Sequence, residues 1–258
     1  MFPAPALPPG QRVYAIGDVH GRLDLLDALV AKIRSDNAER PGGEVTIILL
    51  GDIIDRGPSS AEIVQQCMDF TKRSAAFVVL KGNHEAMMVR AYRGDFGALG
   101  AWVDHGGDAT LQSWGVPTDM IADAYPALLL AEMRRHVPRS AIDWMDRLPL
   151  SYRSGSYFFV HAGIKPGVPL ARQRERDMLW IKEAFTDDVS LHPMMIVHGH
   201  SVRIEGPELL HNRIGLDTGA YRSDILSALG LEGSRRWIIQ TGDQLRMADH
   251  ASESESVS

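Results

Sequence analysis

Five apolar, β-rich runs in this chain each end in a short polar cluster that carries acids, imidazoles or an amide: AIGDVHGR, LLGDIIDRGP, VLKGNHE, FFVHAG and IVHGHS. This constrains the fold more than any bulk property. In open α/β sheets the carboxyl ends of strands are where ligands bind, so five clusters far apart in sequence converge on one site. The runs cover residues 12–16, 45–50, 76–80, 157–160 and 194–197, with a sixth at 237–240, and their continuous hydrophobicity predicts strands buried on both faces.

Between the early runs the apolar period changes to that of a helix. Leu23, Leu26, Leu29, Val30 and Ile33 recur at helical spacing, as do Ile63, Val64, Cys67 and Phe70, so the first ninety residues read as repeated β-α units around a central sheet. Residues 86–147 lack a strand pattern and read as a helical insertion beside the site. Trp102, Trp114 and Trp144 are assigned there to internal packing, with a substrate-facing lid as the less favoured role.

A chain of 258 residues, 45% hydrophobic, can bury a full core, and one domain over residues 11–250 is expected. Four prolines in the first ten residues and the polar, acidic ASESESVS at the end predict flexible tails at 1–10 and 251–258. The single cysteine, Cys67, excludes an intramolecular disulfide and belongs on a buried helical face. No apolar run approaches the roughly 20 residues a membrane span needs, and the N-terminus lacks the pattern of a secretory signal, so a soluble cytoplasmic protein without a membrane partner is expected. With 33 acidic and 27 basic residues the formal charge is −6, which argues against a nucleic-acid partner while leaving room for a local basic pocket.

The residue types in the clusters say what the site holds. Asp18 and His20, two apart at a strand end, point to one side if the backbone stays extended. Asp52 adds a carboxylate, Asn83 an amide oxygen, and His161 and His200 two imidazoles. This mixture of oxygen and nitrogen suits Mn, Fe, Zn or Co, unlike the oxygen cages of calcium or the thiolate sites of structural zinc. His198 and His200 flank Gly199, and from the residues alone either can be the ligand.

GDVHGR, GDIIDRGP, GNHE, the His161 of VHAG, and GHS resemble, in order and spacing, the signature of calcineurin-like metallophosphoesterases, in particular the phosphoprotein phosphatase branch with its bacterial and phage serine/threonine phosphatases. The resemblance spans nearly all of the folded chain. It implies an α/β (α+β) four-layer fold, a central β-sandwich of mixed sheets flanked by helices. It also implies two divalent transition metal ions, Mn2+ foremost with Fe, Zn, Co or Ni as alternatives. Asp18 and His20 would hold the first, Asp52 would bridge both, and Asn83, His161 and His200 would complete the second, leaving His198 behind the ligands. A metal-bridging hydroxide would attack phosphorus, with His84 as general acid, Asp55 orienting it, and Arg56 and Asn83 on the phosphate. The family's second phosphate-binding arginine has no clear match; Lys182 stands where it is often found, with Arg172, Arg174 and Arg176 nearby.

The physical roles agree with these assignments. Two cations about 3.5–4 Å apart acidify water and offset phosphoryl charge. An imidazole oriented by a carboxylate can protonate the leaving oxygen, and a guanidinium offers paired donors to phosphate. Within the resemblance, Asp55 and Glu85 match the protein phosphatase motifs and imply phosphoserine and phosphothreonine in proteins as substrates. The alternative is a dinucleoside polyphosphate or another small phosphoester, suggested by GGDATLQSWG and the insertion. A non-enzymatic scaffold would have lost a ligand or the acid, and none is missing. Oligomeric state is not legible.

Overall fold

The computed structural model describes residues 4–242. Strands β1 (Gln11–Ile16), β2 (Glu44–Leu49) and β3 (Phe77–Val79) pair in parallel, and the intervening helices are α1 (Leu23–Ala38) and α2 (Ser60–Arg73), as the β-α reading expects. The second half supplies β4 (Ser151–Ser154), β5 (Tyr157–Val160), β6 (Met195–His198), β7 (Glu208–Leu209), β8 (Arg213–Gly215), β9 (Ser227–Glu232) and β10 (Arg235–Gln240). Two mixed five-stranded sheets result, in the orders β10-β9-β1-β2-β3 and β4-β5-β6-β8-β7.

Side-chain alternation on β1 shows how the layers stack. Tyr14 and Ile16 join the core under α1 and α2, with Leu29, Ile33, Ile63 and Val64, whereas Val13 and Ala15 join a core shared with Tyr157, Phe159, Val197 and Ile214 of the other sheet. On the outer face of that second sheet, Phe158, Val160 and Ile196 meet Met178 and Phe185. The order is helices, sheet, sheet, helices: the expected sandwich with both sheets covered. Each fully buried Leu, Ile or Phe contributes on the order of 2 kcal/mol, enough in sum to hold the strand ends firmly beneath the loops they carry.

The strands absent from the sequence reading are short, polar or interrupted by glycine. β4 reads SYRS, β7 has two residues, and β9 carries Gly230, where a Cβ would lie 2.2 Å from the Trp237 ring on β10. Phe70, assigned to the buried face of α2, is 42% exposed; it sits near the helix end beside Phe77, with ring centroids 5.3 Å apart.

The prolines of the N-terminal segment lay residues 5–7 across both sheets. Leu7 is buried, its N–H donates to the Gly233 carbonyl, Ser156 N–H donates to Ala6, and the Tyr157 hydroxyl donates to Pro5. The C-terminal tail expected at 251–258 lies outside the described residues.

The helical segment begins inside a site motif, because α3 (Asn83–Tyr92) starts at Asn83 itself. It continues through α4 (Phe96–Trp102), a π-helical turn (Val103–Gly107), α5 (Asp108–Ser113), α6 (Thr118–Asp123), α7 (Pro126–His136) and α8 (Arg139–Asp146). Met88, Leu99, Trp102, Leu111 and Met133 fill its interior and fuse it with the first core. Among the described residues, no helix is long and apolar enough to cross a membrane.

Candidate metal centre

Parallel pairing places the ends of β1, β2 and β3 side by side, and the loops beyond them are tied to one another. Val19 and His20 N–H both donate to the Asp52 carbonyl, Gly21 N–H to Ile53, and Gly57 N–H to His20. β5 and β6 do the same in the second sheet, where Gly199 N–H donates to His161.

The backbone here is strained. Among the described residues six that are not glycine have positive φ, and five belong to the predicted site: His20 (46°), Asp52 (48°), Asp55 (74°), Arg56 (70°) and His200 (61°). Left-handed conformations cost such residues on the order of 1–3 kcal/mol each and persist only where the surroundings enforce them. The expected extended alternation of Asp18 and His20 does not occur: β1 ends at Ile16, and His20 turns through the left-handed region. Tertiary ties between loops, not strand geometry, aim these side chains.

Asp52 is the centre. Its Oδ2 lies 3.4 Å from His161 Nε2, 3.7 Å from His20 Nε2 and 3.8 Å from His84 Nε2. Two sets of possible ligand atoms, each within 4.8 Å of one another, share it: His20, Asp52 and His84, and Asp52, His161 and His200. Burial works against an ionised Asp52, yet the imidazoles of His161, His84, His20 and His200 hold its pKa below the ordinary carboxylate range.

The imidazoles are arranged to offer lone pairs. His20 Nδ1 donates to the Ile54 carbonyl at 2.9 Å and His161 Nδ1 to Leu50 at 2.9 Å, so each keeps Nε2 as an acceptor facing the centre, the usual way a ligand histidine is oriented. Burial lowers the pKa of His20, His161 and His200, the last to about 3, so all three are neutral at neutral pH. The buried Nε2 of His200 has no hydrogen-bond partner. Most telling, the acceptor Nε2 of His161 faces Asn83 Oδ1, another acceptor, at 2.8 Å. Two lone-pair atoms so close are reconciled by a cation both can bind.

Acid accumulates beneath these ligands. Asp18 accepts the His200 N–H at 3.1 Å, and its pKa is driven well up by burial and by the carboxylates of Asp217 and Asp52; that of Asp217 rises to about 6 through burial and, more weakly, Asp52. Divalent cations would relieve this concentration of buried negative charge, so the donor set fits them. Asp18 lies outside both compact ligand sets, the first of which includes His84 beside His20 and Asp52.

Beside the centre, His84 Nδ1 is 2.5 Å from Asp55 Oδ2. Burial disfavours the imidazolium, but Asp52 and Asp55 outweigh it and raise the pKa of His84. Arg56 spans the two imidazoles, donating from Nη1 to His20 Nε2 (2.8 Å) and from Nη2 to His84 Nε2 (3.2 Å). Its guanidinium lies 4.4 Å above the centre of the Tyr221 ring, and its backbone N–H donates to Gly106. Gly106 has φ +103°, and a Cβ there would meet Arg56 Cγ at 2.7 Å, so glycine is required for the close approach.

The remaining candidates separate clearly. His198 is buried edge-on against Phe185, away from Asp52, whereas His200 faces His161 with ring centroids 5.1 Å apart. Lys182 is exposed and close enough that its charge helps depress the pKa of His200, after burial and His161. Arg172, Arg174 and Arg176 are exposed. The sequence does not announce Asp217, Tyr221 or Thr110 as parts of the site, nor a polar role for Trp102. Trp102 packs in the core as expected, and its indole N–H also donates to Asp55 at 2.7 Å. Only Thr110 lay in a stretch already singled out, GGDATLQSWG.

A family model for calcineurin-like phosphoesterases matches residues 11–220. A symmetrical bis(5'-nucleosyl)-tetraphosphatase from Neisseria meningitidis is 31% identical over 153 residues, 59% of this chain and 44% of the relative. The chain thus spans about half the length of that relative. An asymmetrical bis(5'-nucleosyl)-tetraphosphatase from Oceanobacillus iheyensis is 23% identical over 237 residues, 84% of this chain and 87% of the relative. In fold, a crystal structure described as a candidate diadenosine tetraphosphatase covers 92% of this chain and 98% of its own, with TM-score 0.61 and 21% identity.

Proposed function

The chain belongs to the calcineurin-like phosphoesterase family, and we propose that it is a two-metal hydrolase acting on dinucleoside polyphosphates. The observation that carries the chemistry is Asp52 standing between two sets of neutral imidazoles, beside the His84–Asp55 pair. The choice of substrate rests on the relatives, two of which are bis(5'-nucleosyl)-tetraphosphatases, and this ranks the small-phosphoanhydride alternative above the phosphoprotein reading taken from Asp55 and Glu85.

His20, Asp52 and Asp18 would hold one divalent ion, and Asp52, Asn83, His161 and His200 the other. Mn2+ is the first choice, and Fe, Zn, Co or Ni suit the same donors. Such ions supply Lewis acidity, lowering the pKa of water and polarising phosphoryl oxygens. The protein does the rest. Arg56, its guanidinium over the Tyr221 ring, exchanges its imidazole contacts for a phosphate oxygen and presents two donors to it. Asn83 steadies a second oxygen with its amide N–H. His84, whose pKa Asp52 and Asp55 raise against burial, delivers a proton from Nε2 to the departing oxygen once Arg56 has turned to the phosphate, while Asp55 keeps Nδ1 fixed. Lys182 adds positive charge at the rim, where a polyphosphate would leave the site.

The second reading, phosphomonoester hydrolysis on a protein, rests on Asp55 and Glu85 within the GDIIDRGP and GNHE motifs. Parallel assays of diadenosine tetraphosphate and a phosphothreonine peptide under Mn2+ separate the two, and a large preference for the peptide would reverse the ranking. Turnover of neither, with fewer than one transition metal bound per chain, would leave a scaffold that keeps the fold.

A further inference from the structure

We propose that Trp102 and Thr110 are positioning residues for the proton donor, acting through Asp55; the inference rests on His84 being the general acid. Asp55 is fully buried, and neither of its oxygens is left to water. Oδ2 accepts from His84 Nδ1 (2.5 Å) and from Trp102 Nε1 (2.7 Å), and Oδ1 accepts from the Thr110 hydroxyl (2.6 Å).

The protons are fully accounted for. The one hydroxyl proton of Thr110 goes to Asp55 Oδ1, so its Oγ1 is free to accept the Asp55 N–H (2.8 Å) and the Ser60 hydroxyl (2.9 Å). Ser60 Oγ in turn accepts from the same Asp55 N–H at 3.0 Å. A residue held at φ +74° is thereby gripped at both backbone and side chain. With its two oxygens fixed by donors other than His84, the carboxylate cannot rotate, and the imidazole bonded to it is fixed in plane and tautomer.

Both donors come from the helical segment rather than from the strand loops. Trp102 ends α4 and Thr110 lies on α5, with the turn between them lodged against Arg56 through Gly106. Packing explains a large ring at 102 but not the pairing of its N–H with the carboxylate that orients His84, nor a buried hydroxyl at 110 on the other oxygen. The segment therefore reaches the chemistry as a buttress, not as a lid.

The test uses the full chain with Mn2+, in the variants Trp102→Phe, Thr110→Val, Thr110→Ser and His84→Asn. Turnover of p-nitrophenyl phosphate, whose leaving group needs little protonation, is compared with that of phenyl phosphate, whose leaving group needs more. Loss of an oriented acid lowers kcat on phenyl phosphate by about 10- to 100-fold in Trp102→Phe and Thr110→Val, with a change of about 3-fold or less on p-nitrophenyl phosphate. KM stays put, and Thr110→Ser restores the rate. Independently of turnover, the proton NMR spectrum of the metal-free protein carries a downfield His84 Nδ1–H resonance, identified by its absence in His84→Asn. It moves upfield in Trp102→Phe and Thr110→Val and stays in Thr110→Ser. Equal losses on both substrates with an unmoved resonance overturn the proposal. If His84→Asn itself loses both substrates equally, the acid assignment falls, and the resonance alone decides whether Trp102 and Thr110 hold the pair.

Discussion

The carboxylate of Glu85 accepts the backbone N–H of Asp52 at 3.0 Å, binding the first turn of α3 to the loop that carries the central ligand. The same Oε2 accepts Gly82 N–H at 2.7 Å, and Oε1 accepts Ile53 N–H at 2.9 Å. All these groups are buried, so Glu85→Ala strands three donors. At roughly 1–3 kcal/mol for each unsatisfied buried group, the variant loses at least about 3 kcal/mol, close to 10 °C in melting temperature for a domain of this size. Glu85→Gln, which keeps one acceptor, falls between. Thermal and urea melts measure both, and a loss under about 1 kcal/mol for the alanine variant would mean that water or a rearranged loop satisfies those donors.

Asp52→Asn separates metal binding from folding. Asn retains an oxygen to accept the His84 backbone N–H, which Asp52 Oδ1 now accepts at 3.0 Å, and removes the negative charge that faces four imidazoles. The fold should tolerate the change and the metals should not. We expect the melting temperature of the metal-free protein to change little, elemental analysis to find less than half the wild-type metal, and phosphoesterase activity to fall at least about 1,000-fold, the equivalent of several kcal/mol of transition-state stabilisation. Retained metal with full activity would remove Asp52 from the centre of the mechanism.

The site was legible where one short segment carries its own signal. A strand followed by GD, DRG, GNH or GH announces a turn with polar groups at a sheet edge, and five such turns carry His20, His84, His161 and His200 to the neighbourhood of Asp52. What escaped was held by partners remote in sequence. Trp102 and Thr110 reach Asp55 across 47 and 55 residues, and neither indole nor hydroxyl in a helix differs locally from packing or capping. Asp217 and Tyr221 follow a three-residue strand, Arg213–Gly215, too short to show a period. The strained turns at His20, Asp52 and His200 were hidden for a related reason: aspartate and histidine enter the left-handed region more often than most residues but still uncommonly, so the surrounding fold and not local propensity enforces it here.

Cys67 offers a test through pH. It is buried on α2, and burial, reinforced by the negative charge of Glu85, pushes its thiol up to about 12. The raised value means that the fold disfavours the thiolate, so this contribution to stability is fully present below the ordinary thiol pKa and is lost progressively as the pH rises from there to about 12. At pH 8 alkylation by iodoacetamide should run at least about 1,000-fold slower in the native protein than in urea, because only the thiolate reacts. Mass spectrometry after timed quenching reads the ratio directly. Native labelling as fast as unfolded would place Cys67 in an environment that favours charge, contrary to its packing against Ile63 and Val64.

Tyr221 provides the sharpest check on how Arg56 is presented. Its ring lies under the guanidinium at 4.4 Å and edge-on to His20, with centroids 5.4 Å apart, so one aromatic ring braces both the phosphate-binding group and a ligand imidazole. The hydroxyl has no part in either contact. Tyr221→Phe keeps the face and should change kcat/KM by no more than about 2-fold, whereas Tyr221→Ala removes a cation–π contact worth about 1 kcal/mol and lets Arg56 swing, for a loss of roughly 10-fold. Because Arg56 is assigned to the bound phosphate, most of that loss should appear in KM, with inorganic phosphate weakened as an inhibitor by a similar factor. A Phe variant as impaired as the Ala variant would point instead to the hydroxyl and to a direct contact with substrate.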